Sequence, residues 1–217
     1  VTVKDNNGCT FAQNQNLTQP TLVTTASSVL QDVSCFAGND GKGQIIGSGG
    51  TLPYTFSIDG TNFVSTNVFD GLTANTFQFW VKDANGCTKT STVITVTQPT
   101  LLVPSVAAFT NALCNGSSDG TITMAATGGT SPYQYSKDNS IYQNPTLLTA
   151  FPAGNFTVYV KDSKGCVKTT TQTIDQPAPL SLNLVAKSDL TCFENQTGKL
   201  EVGINGGTQP YRYSLDN

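Results

Sequence analysis

The chain has 217 residues, of which 37% are hydrophobic and 12% charged, with 20 Gly, 10 Pro, six Cys and no His. The absence of histidine excludes His-based acid–base catalysis, Ser-His triads and His-ligated metal sites. The formal charge of −3 is mild and unclustered, which argues against nucleic acid as a partner. No apolar run is long enough to predict membrane insertion as a helix.

Three motifs recur along the chain and give it an internal period. They are Val-Lys-Asp-x-x-Gly-Cys, Gly-Gly-Thr-x-Pro-Tyr and Gln-Pro. Their first residues are Val3, Val81 and Val160; Gly49, Gly128 and Gly206; and Gln19, Gln98 and Gln176. Three independent motifs with one spacing of about 79 residues indicate a repeat array.

The motifs divide the chain into four predicted segments. Residues 1–20 are the C-terminal end of a preceding repeat, 21–99 and 100–177 are complete repeats 1 and 2, and 178–217 are the N-terminal part of repeat 3. Both ends cut through a repeat, so we expect the chain to be a piece of a longer protein.

Short strand-like stretches separated by Gly, Asn and Asp turns fill repeat 1. In chain order they cover residues 22–30, 43–48, 54–58, 63–69, 76–82 and 87–97. These six stretches approach the pattern of about seven short strands in about 80 residues that is typical of an antiparallel β-sandwich of immunoglobulin-like type. The predicted fold is therefore all-β, with tandem sandwich repeats stiffened at Gln-Pro joints into an elongated rod.

Period-two alternation assigns residues to the two inner faces of each sandwich. The first predicted inner face holds Tyr54, Phe56 and Ile58, then Tyr133 and Tyr135, then Tyr211, Tyr213 and Leu215; the second holds Phe77, Phe79 and Val81, then Phe156, Val158 and Val160. This phase places Trp80 and its counterpart Tyr159 on the outer face. These aromatics could contact a sugar or a neighbouring domain, although cross-strand packing is the more ordinary role for them.

No catalytic, cofactor or metal-binding residue is predicted. The loops at residues 38–41 and 117–120 resemble cation loops superficially but lack the ligand spacing of an EF-hand. The Gly-Gly-Thr motif lacks the Gly-Lys-Ser/Thr of a phosphate loop. The acidic residues next to glycines, such as Asp59, Asp70 and Asp83, fit turns better than a pair of catalytic carboxylates.

The cysteines occupy fixed repeat positions and are predicted to be structural, in an oxidising extracellular setting. They are Cys9, Cys35, Cys87, Cys114, Cys166 and Cys192. No Cys-x-x-Cys pair suggests zinc.

Three arrangements of the cysteines stay open at this point, together with free thiols. The first has one bond within each repeat, Cys35–Cys87 and Cys114–Cys166. The second links repeats 1 and 2 through Cys35–Cys166. The third crosses each Gln-Pro pair, as Cys9–Cys35, Cys87–Cys114 and Cys166–Cys192.

The combination of motifs in repeat 2 resembles the SprB-type repeat of large surface proteins from Bacteroidetes. The residues that carry this resemblance are 114–120, 128–136, 160–166 and Gln176-Pro177. The resemblance implies a long, secreted, cell-surface adhesin that is exported by the type IX system and carried by the gliding machinery.

The hypothesis for function is therefore a non-enzymatic segment of a filamentous adhesin, acting as a stiff spacer without cofactors. Its expected partners are neighbouring repeats of the chain, and surface polysaccharide or other adhesin chains. The alternative is a glycan-binding module array of a secreted polysaccharide-active protein, with Trp80 and Tyr159 as stacking platforms.

Overall fold

The computed structural model describes residues 1–193 and 197–215, and every regular element in those ranges is a β-strand. Residues 194–196, which follow Cys192 in the predicted repeat 3, lie outside the described residues. No helix that could cross a membrane occurs among the residues described. The chain forms two compact units, Val1–Gln98 and Pro99–Asn217. The four predicted segments themselves stay a prediction.

Unit 1 contains ten strands. In chain order they are β1 (Thr2–Lys4), β2 (Thr10–Ala12), β3 (Thr24–Gln31), β4 (Gly41–Ser48), β5 (Thr55–Ser57), β6 (Val68–Leu72), β7 (Asn75–Phe77), β8 (Trp80–Lys82), β9 (Thr88–Thr90) and β10 (Ile94–Val96). All pairings are antiparallel, and the sheets have the orders β1-β2, β3-β4-β6, β5-β8-β9 and β7-β10.

The sheets of repeat 1 enclose one hydrophobic core. Ile45 on β4 and Val81 on β8 are fully buried, and Phe56 on β5 is buried in the same cluster. Phe79 is also fully buried, and its ring stacks on Phe69 with centroids 5.0 Å apart. Side chains from two facing sheets thus share one interior, which is the organisation of a β-sandwich.

Unit 2 contains eight strands among its described residues. In chain order they are β11 (Val103–Thr110), β12 (Gly120–Thr127), β13 (Gln134–Ser136), β14 (Leu147–Phe151), β15 (Gly154–Lys161), β16 (Val167–Ile174), β17 (Ser181–Ser188) and β18 (Lys199–Asn205). The antiparallel sheets are β11-β12-β14, β13-β15-β16 and β17-β18. Ile122, Met124, Val158, Val160 and Ile174 form the centre of the repeat 2 core. The all-β, antiparallel fold class is confirmed.

The predicted single strand at 76–82 is wrong in repeat 1. β7 pairs with β10, whereas β8 pairs with β5 and β9 in another sheet. The break has a side-chain cause, because the Ser91 hydroxyl accepts the N–H of Phe79 at 3.0 Å and donates to the carbonyl of Thr92 at 2.7 Å. The hydroxyl thus replaces one of the two backbone bonds of this pair. The other bond, from the N–H of Ser91 to the carbonyl of Phe79 at 2.8 Å, remains. In repeat 2 the corresponding strand β15 is continuous.

The predicted inner faces are confirmed in repeats 1 and 2 but not throughout repeat 3. Tyr54 and Ile58 pack against the buried cluster that contains Phe56, and Tyr133 packs against the one that contains Tyr135. Tyr213 and Leu215, by contrast, are exposed. The physical reason is that the sheet of repeat 3 has only β17 and β18 among the residues described, so no second sheet covers these side chains.

Candidate functional site

The Gly-Gly-Thr loop and the Asp-x-x-Gly-Cys turn meet at one buried carboxylate in repeat 1. Asp83 Oδ2 accepts the backbone N–H of Thr51 at 3.0 Å. Its Oδ1 accepts the N–H groups of Asn85 at 3.0 Å and Cys87 at 2.8 Å. A return bond runs from the N–H of Ala84 to the carbonyl of Thr51 at 2.9 Å. We call Asp83 with these contacts the Asp clamp.

Repeat 2 builds the same clamp around Asp162. Its Oδ2 accepts the N–H of Thr130 at 2.9 Å, and its Oδ1 accepts the N–H groups of Lys164 and Cys166, both at 2.9 Å. Asp83 and Asp162 are each only 4% exposed, so their charge must be balanced by these donors. Two motifs that are 32 residues apart in sequence are therefore joined by one side chain in each complete repeat.

The Asp83 carboxylate is stabilised in its charged form. Burial alone raises its pKa, but the N–H donors of Thr51, Cys87 and Asn85 together outweigh burial. The pKa of Asp83 therefore lies below its ordinary value. A carboxylate that accepts several backbone N–H groups behaves in this way.

The first glycine of each Gly-Gly-Thr loop lies against the segment that leads into the first strand of the repeat. A Cβ added at Gly49 would lie 2.0 Å from the carbonyl oxygen of Leu22, and one at Gly128 would lie 1.9 Å from that of Leu101. Backbones can approach this closely only where no side chain intervenes. The Tyr of the motif completes the loop, because the Tyr133 hydroxyl donates to the carbonyl of Gly128 at 2.7 Å. Tyr54 and Tyr211 make the equivalent bonds to Gly49 and Gly206.

A second carboxylate closes the turn after β5. Asp59 Oδ1 accepts the backbone N–H groups of Thr61 and Asn62 at 2.8 Å, and the buried Ser57 hydroxyl donates to the same oxygen at 2.8 Å. The Asn62 donors, first its backbone N–H, hold the pKa of Asp59 far below the ordinary range. Asp138 closes the corresponding turn in repeat 2. The pKa of Asp138 is also lowered, and the N–H of Ile141, which donates to its Oδ1, is the largest cause.

The opposite end of each repeat carries a loop around the other cysteine. We call residues 34–40 and 113–119 the Cys loops. Asp40 Oδ1 accepts the N–H of Ser34 at 2.9 Å, and Asp119 Oδ1 accepts that of Leu113 at 3.0 Å. The carboxylates of Asp40 and Asp119 thus accept backbone N–H groups. No group of three potential metal-ligating residues occurs among the residues described.

The Gln of each Gln-Pro pair binds the Cys loop of its own repeat. Gln98 Oε1 accepts the N–H of Ala37 at 2.7 Å, and Gln176 Oε1 accepts the N–H of Gly116 at 2.7 Å. The Cys loop therefore lies where the chain leaves a repeat, whereas the Asp clamp lies where the chain enters it. Strands of eight residues connect the two ends, so the two cysteines of one repeat are far apart.

The state of the cysteines contradicts two of the three arrangements. Cys35 and Cys166 are disulfide-bonded. Free, exposed thiols occur at Cys9, Cys87, Cys114 and Cys192. The bonds Cys35–Cys87 and Cys114–Cys166 are therefore wrong, and so are all three bonds across the Gln-Pro pairs. The bonds within one repeat fail for a physical reason. A disulfide requires Cα atoms within about 7 Å, and cysteines at opposite ends of a sandwich are farther apart than that. The arrangement Cys35–Cys166 stays a prediction.

The two outer-face aromatics are half-buried side chains rather than open platforms. A Cβ added at Gly60 would lie 3.0 Å from Cε2 of Trp80, so the indole packs against the turn at Asp59. Trp80 and Tyr159 lie opposite Thr90 and Thr169 on the neighbouring strands. A role for them in binding stays a prediction.

The motif residues were visible in the sequence, but the contacts between them were not. The spacing identified the Asp-x-x-Gly-Cys and Gln-Pro motifs, yet it gave no indication that Asp83 binds Thr51 or that Gln98 binds Ala37. The only signal was that Asp and Gln keep their identity in both complete repeats. A turn explains the Asp without any distant partner, so the clamp role was missed.

The architecture defines a tandem array of antiparallel β-sandwich repeats. The SprB repeat family model matches residues 27–63, 106–140 and 184–217. These matches at three places confirm the resemblance to the SprB repeat. Each matched stretch includes one cysteine and a Gly-Gly-Thr motif, whereas Asp83 and Asp162 lie outside the matches.

Solved structures resemble the chain only weakly. Three N-terminal domains of the bacteriophage RB49 Hoc capsid protein are 16% identical, with coverage of 87% of this chain and 70% of that one and a TM-score of 0.39. A C-terminal intimin fragment in complex with the intimin-binding domain of its receptor Tir is 13% identical, with coverage of 76% and 67% and a TM-score of 0.35. The fibronectin(III)-like modules of Clostridium thermocellum CbhA are 15% identical, with coverage of 70% and 95% and a TM-score of 0.32. Comparison with curated proteins gives no match.

Proposed function

We propose that this chain is a repeat segment of a long filamentous cell-surface adhesin and acts there as a stiff spacer in attachment and gliding motility. The observation that carries the proposal is the repetition of both end structures. Asp83 and Asp162 hold the loops at one end, and Gln98 and Gln176 hold the loops at the other. A side-chain arrangement that recurs in every complete repeat suits a mechanical role better than a single binding or catalytic event.

The chemistry of the loops supports a load-bearing role. Each loop is closed by charged or amide oxygens that accept backbone N–H groups, and bonds to charged groups are stronger than neutral ones. Such bonds keep the ends of a sandwich ordered while the core strands carry tension. The carboxylates are thereby used for structure, so the chain is proposed to be non-enzymatic.

An extracellular location, with export by the type IX system, belongs to the same proposal. The disulfide-bonded state of Cys35 and Cys166 supports it, because disulfides persist in oxidising compartments. An antibody against this chain should label intact cells that produce the protein, and external protease should remove the label. Labelling that requires permeabilised cells would contradict the location.

Single-molecule pulling tests the spacer role directly. The chain is held at its two ends in the presence of a reductant and extended at constant speed. Each complete repeat should resist and then unfold in one step, releasing about 25 nm, because about 75 residues extend by about 3.4 Å each. Gradual extension without discrete steps would contradict the spacer role.

The glycan-binding alternative has its own experiment. If Trp80 and Tyr159 were stacking platforms, polysaccharide in an affinity gel would retard the chain, and substituting both residues with Ala would abolish the retardation. Unchanged mobility of both the parent and the variant would reject this alternative. A loss of retardation in the variant would instead replace the spacer proposal with a binding function.

A further inference from the structure

We infer that the side chains of Gln98 and Gln176 fix the direction in which the chain leaves each repeat, so that the stiffness of the joint comes from Gln as well as from Pro. This inference rests on the proposed spacer function, because a spacer needs defined joints. Gln98 Oε1 and Gln176 Oε1 accept N–H groups from residues 61 and 60 positions earlier, each at 2.7 Å. We call each of these bonds a Gln clamp.

The residue before each Gln is already fixed to the same end of the repeat. The carbonyl of Thr97 accepts the N–H of Val33 at 2.9 Å, and the N–H of Thr97 donates to Asp32 Oδ1 at 2.6 Å. The Gln clamp adds a third contact one residue further along. Three contacts on two successive residues restrain both the position and the orientation of the segment that leaves the repeat.

Repeat 2 holds its last residues in the same way. Asp175 accepts the N–H of Ala112 through its carbonyl at 2.9 Å and donates its own N–H to Asn111 Oδ1 at 3.0 Å. Asp32 and Asn111 differ in charge, but the side-chain oxygen of each accepts the backbone N–H of the residue before Gln. The recurrence with different side chains indicates that the contact, rather than one particular residue, is what the fold requires.

Proline alone does not supply this restraint. The ring of Pro99 fixes its own φ and disfavours the helical region for Gln98. It does not attach the segment to the body of the repeat. The side-chain oxygen of Gln98 makes that attachment, because it reaches back to the Cys loop while the backbone continues into Pro99.

The two joints differ in one contact. Asn115 Nδ2 donates to the carbonyl of Pro177 at 3.1 Å, which extends the restraint to the proline itself in repeat 2. The corresponding residue of repeat 1 is Phe36, whose side chain has no donor. We therefore expect the joint after repeat 1 to depend more strongly on its Gln clamp than the joint after repeat 2.

Matched variants of the whole chain test the inference. Gln98→Met keeps the length of the side chain but removes the acceptor, Gln98→Glu keeps an acceptor oxygen, and Pro99→Ala removes the ring. Backbone ¹⁵N relaxation and amide hydrogen exchange are measured for each. In Gln98→Met the Ala37 amide should exchange at least about tenfold faster, since its bond is lost. The order parameters of the amides at positions 98 and 100, on either side of Pro99, should fall from about 0.85 towards 0.6. Gln98→Glu should retain both values.

Each possible result decides the inference. Gly116, bound by Gln176, is the internal control and should keep its exchange rate in every Gln98 variant. Trp80 fluorescence reports whether repeat 1 is folded. If Gln98→Met unfolds repeat 1, the same test is made with Gln176→Met, and the exchange of the Gly116 amide is then the reporter. The inference would be overturned if the order parameters were unchanged in Gln98→Met. It would also be overturned if they fell in Pro99→Ala and in no Gln98 variant. Because pulling measures unfolding rather than joint mobility, the spacer proposal can stand or fail separately.

Discussion

The ammonium group of Lys82 lies 3.9 Å from the centre of the Phe63 ring, and in repeat 2 Lys161 lies 4.0 Å from the ring of Tyr142. Both lysines belong to the Val-Lys-Asp motif, and both aromatic residues belong to the loop that follows the turn at Asp59 or Asp138. The Lys of the motif is therefore a contact of the fold. It holds a long loop against the strand that leads into the Asp clamp.

The first prediction is a favourable coupling between Lys82 and Phe63. A cation over an aromatic face contributes about 0.5–1 kcal/mol at partly exposed sites. In a double-mutant cycle of Lys82→Met and Phe63→Leu, the double variant should be less destabilised than the sum of the single variants by about that amount. Urea unfolding followed by the fluorescence of Trp80, the single tryptophan, reports repeat 1.

The pair in repeat 2 serves as the control for that cycle. Lys161→Met should leave the Trp80 midpoint unchanged, because it acts in the other unit. Additive effects of Lys82→Met and Phe63→Leu would mean that the two side chains are neighbours without a mutual interaction.

The second prediction concerns two equivalent backbone positions in the two complete repeats. Gly71 has a φ of 74°, and Ala150 at the same repeat position has a φ of 65°. A left-handed conformation costs a residue with a Cβ about 1–2 kcal/mol. Ala150→Gly should therefore stabilise unit 2 by about 1 kcal/mol, after allowing for the greater freedom of glycine in the unfolded chain. Differential scanning calorimetry measures the change.

The reverse substitution isolates the backbone effect. A Cβ at Gly71 would meet only the carbonyl oxygen of Asn39, at 3.9 Å, so no steric clash accompanies Gly71→Ala. This variant should destabilise repeat 1 by about 1 kcal/mol in the Trp80 assay. Equal stability of parent and variants in both repeats would show that φ at this position carries no energetic penalty.

The sequence predicted what depends on local pattern. The repeat period came from motif spacing, and the alternation that placed Phe56 and Val81 inside came from the two-residue period of a strand. The break between β7 and β8 was missed because it depends on the Ser91 hydroxyl, which reaches the backbone of Phe79 from a neighbouring segment. Nothing in residues 76–82 themselves indicates that break.

The clamps were missed for a related physical reason. Asp83 and Thr51 are 32 residues apart, and Gln98 and Ala37 are 61 apart. A side-chain bond over such separations depends on the path of the whole fold, whereas periodicity describes only one element at a time. The cysteines depend on that path in the same way, because it places the two cysteines of a repeat at opposite ends, and Cys35 is bonded while Cys87 is free.

The third prediction is the pH dependence of stability. The N–H donors of Asn62 and Thr61, with the Ser57 hydroxyl, lower the pKa of Asp59 below its ordinary value of 3.8, so its charged form stabilises the folded state. This contribution is fully present above the unfolded pKa and is lost as the pH falls through the folded pKa. With no histidine in the chain, the urea midpoint should be nearly constant from about pH 7 to 5 and should fall below about pH 4.

Asp59→Asn separates this turn from the other carboxylates. Asn keeps an oxygen for the N–H groups of Thr61 and Asn62 but does not titrate, so the acid-induced fall of the Trp80 midpoint should become shallower. Asp138→Asn, in the other unit, should leave that midpoint unchanged. An identical acid response in the parent and in Asp59→Asn would contradict the assignment of this carboxylate.

The fourth prediction is the pattern of cysteine labelling. Alkylation of the folded chain without reduction should modify Cys9, Cys87, Cys114 and Cys192, which are exposed and free, and should leave Cys35 and Cys166 unmodified. Reduction before alkylation should expose all six. Protection of both Cys35 and Cys87 would instead indicate the bond Cys35–Cys87. That bond would require the Cys loop and the Asp clamp of repeat 1 to lie at the same end. Peptide mapping of the unreduced digest then tests Cys35–Cys166, because that bond predicts one linked peptide containing both residues.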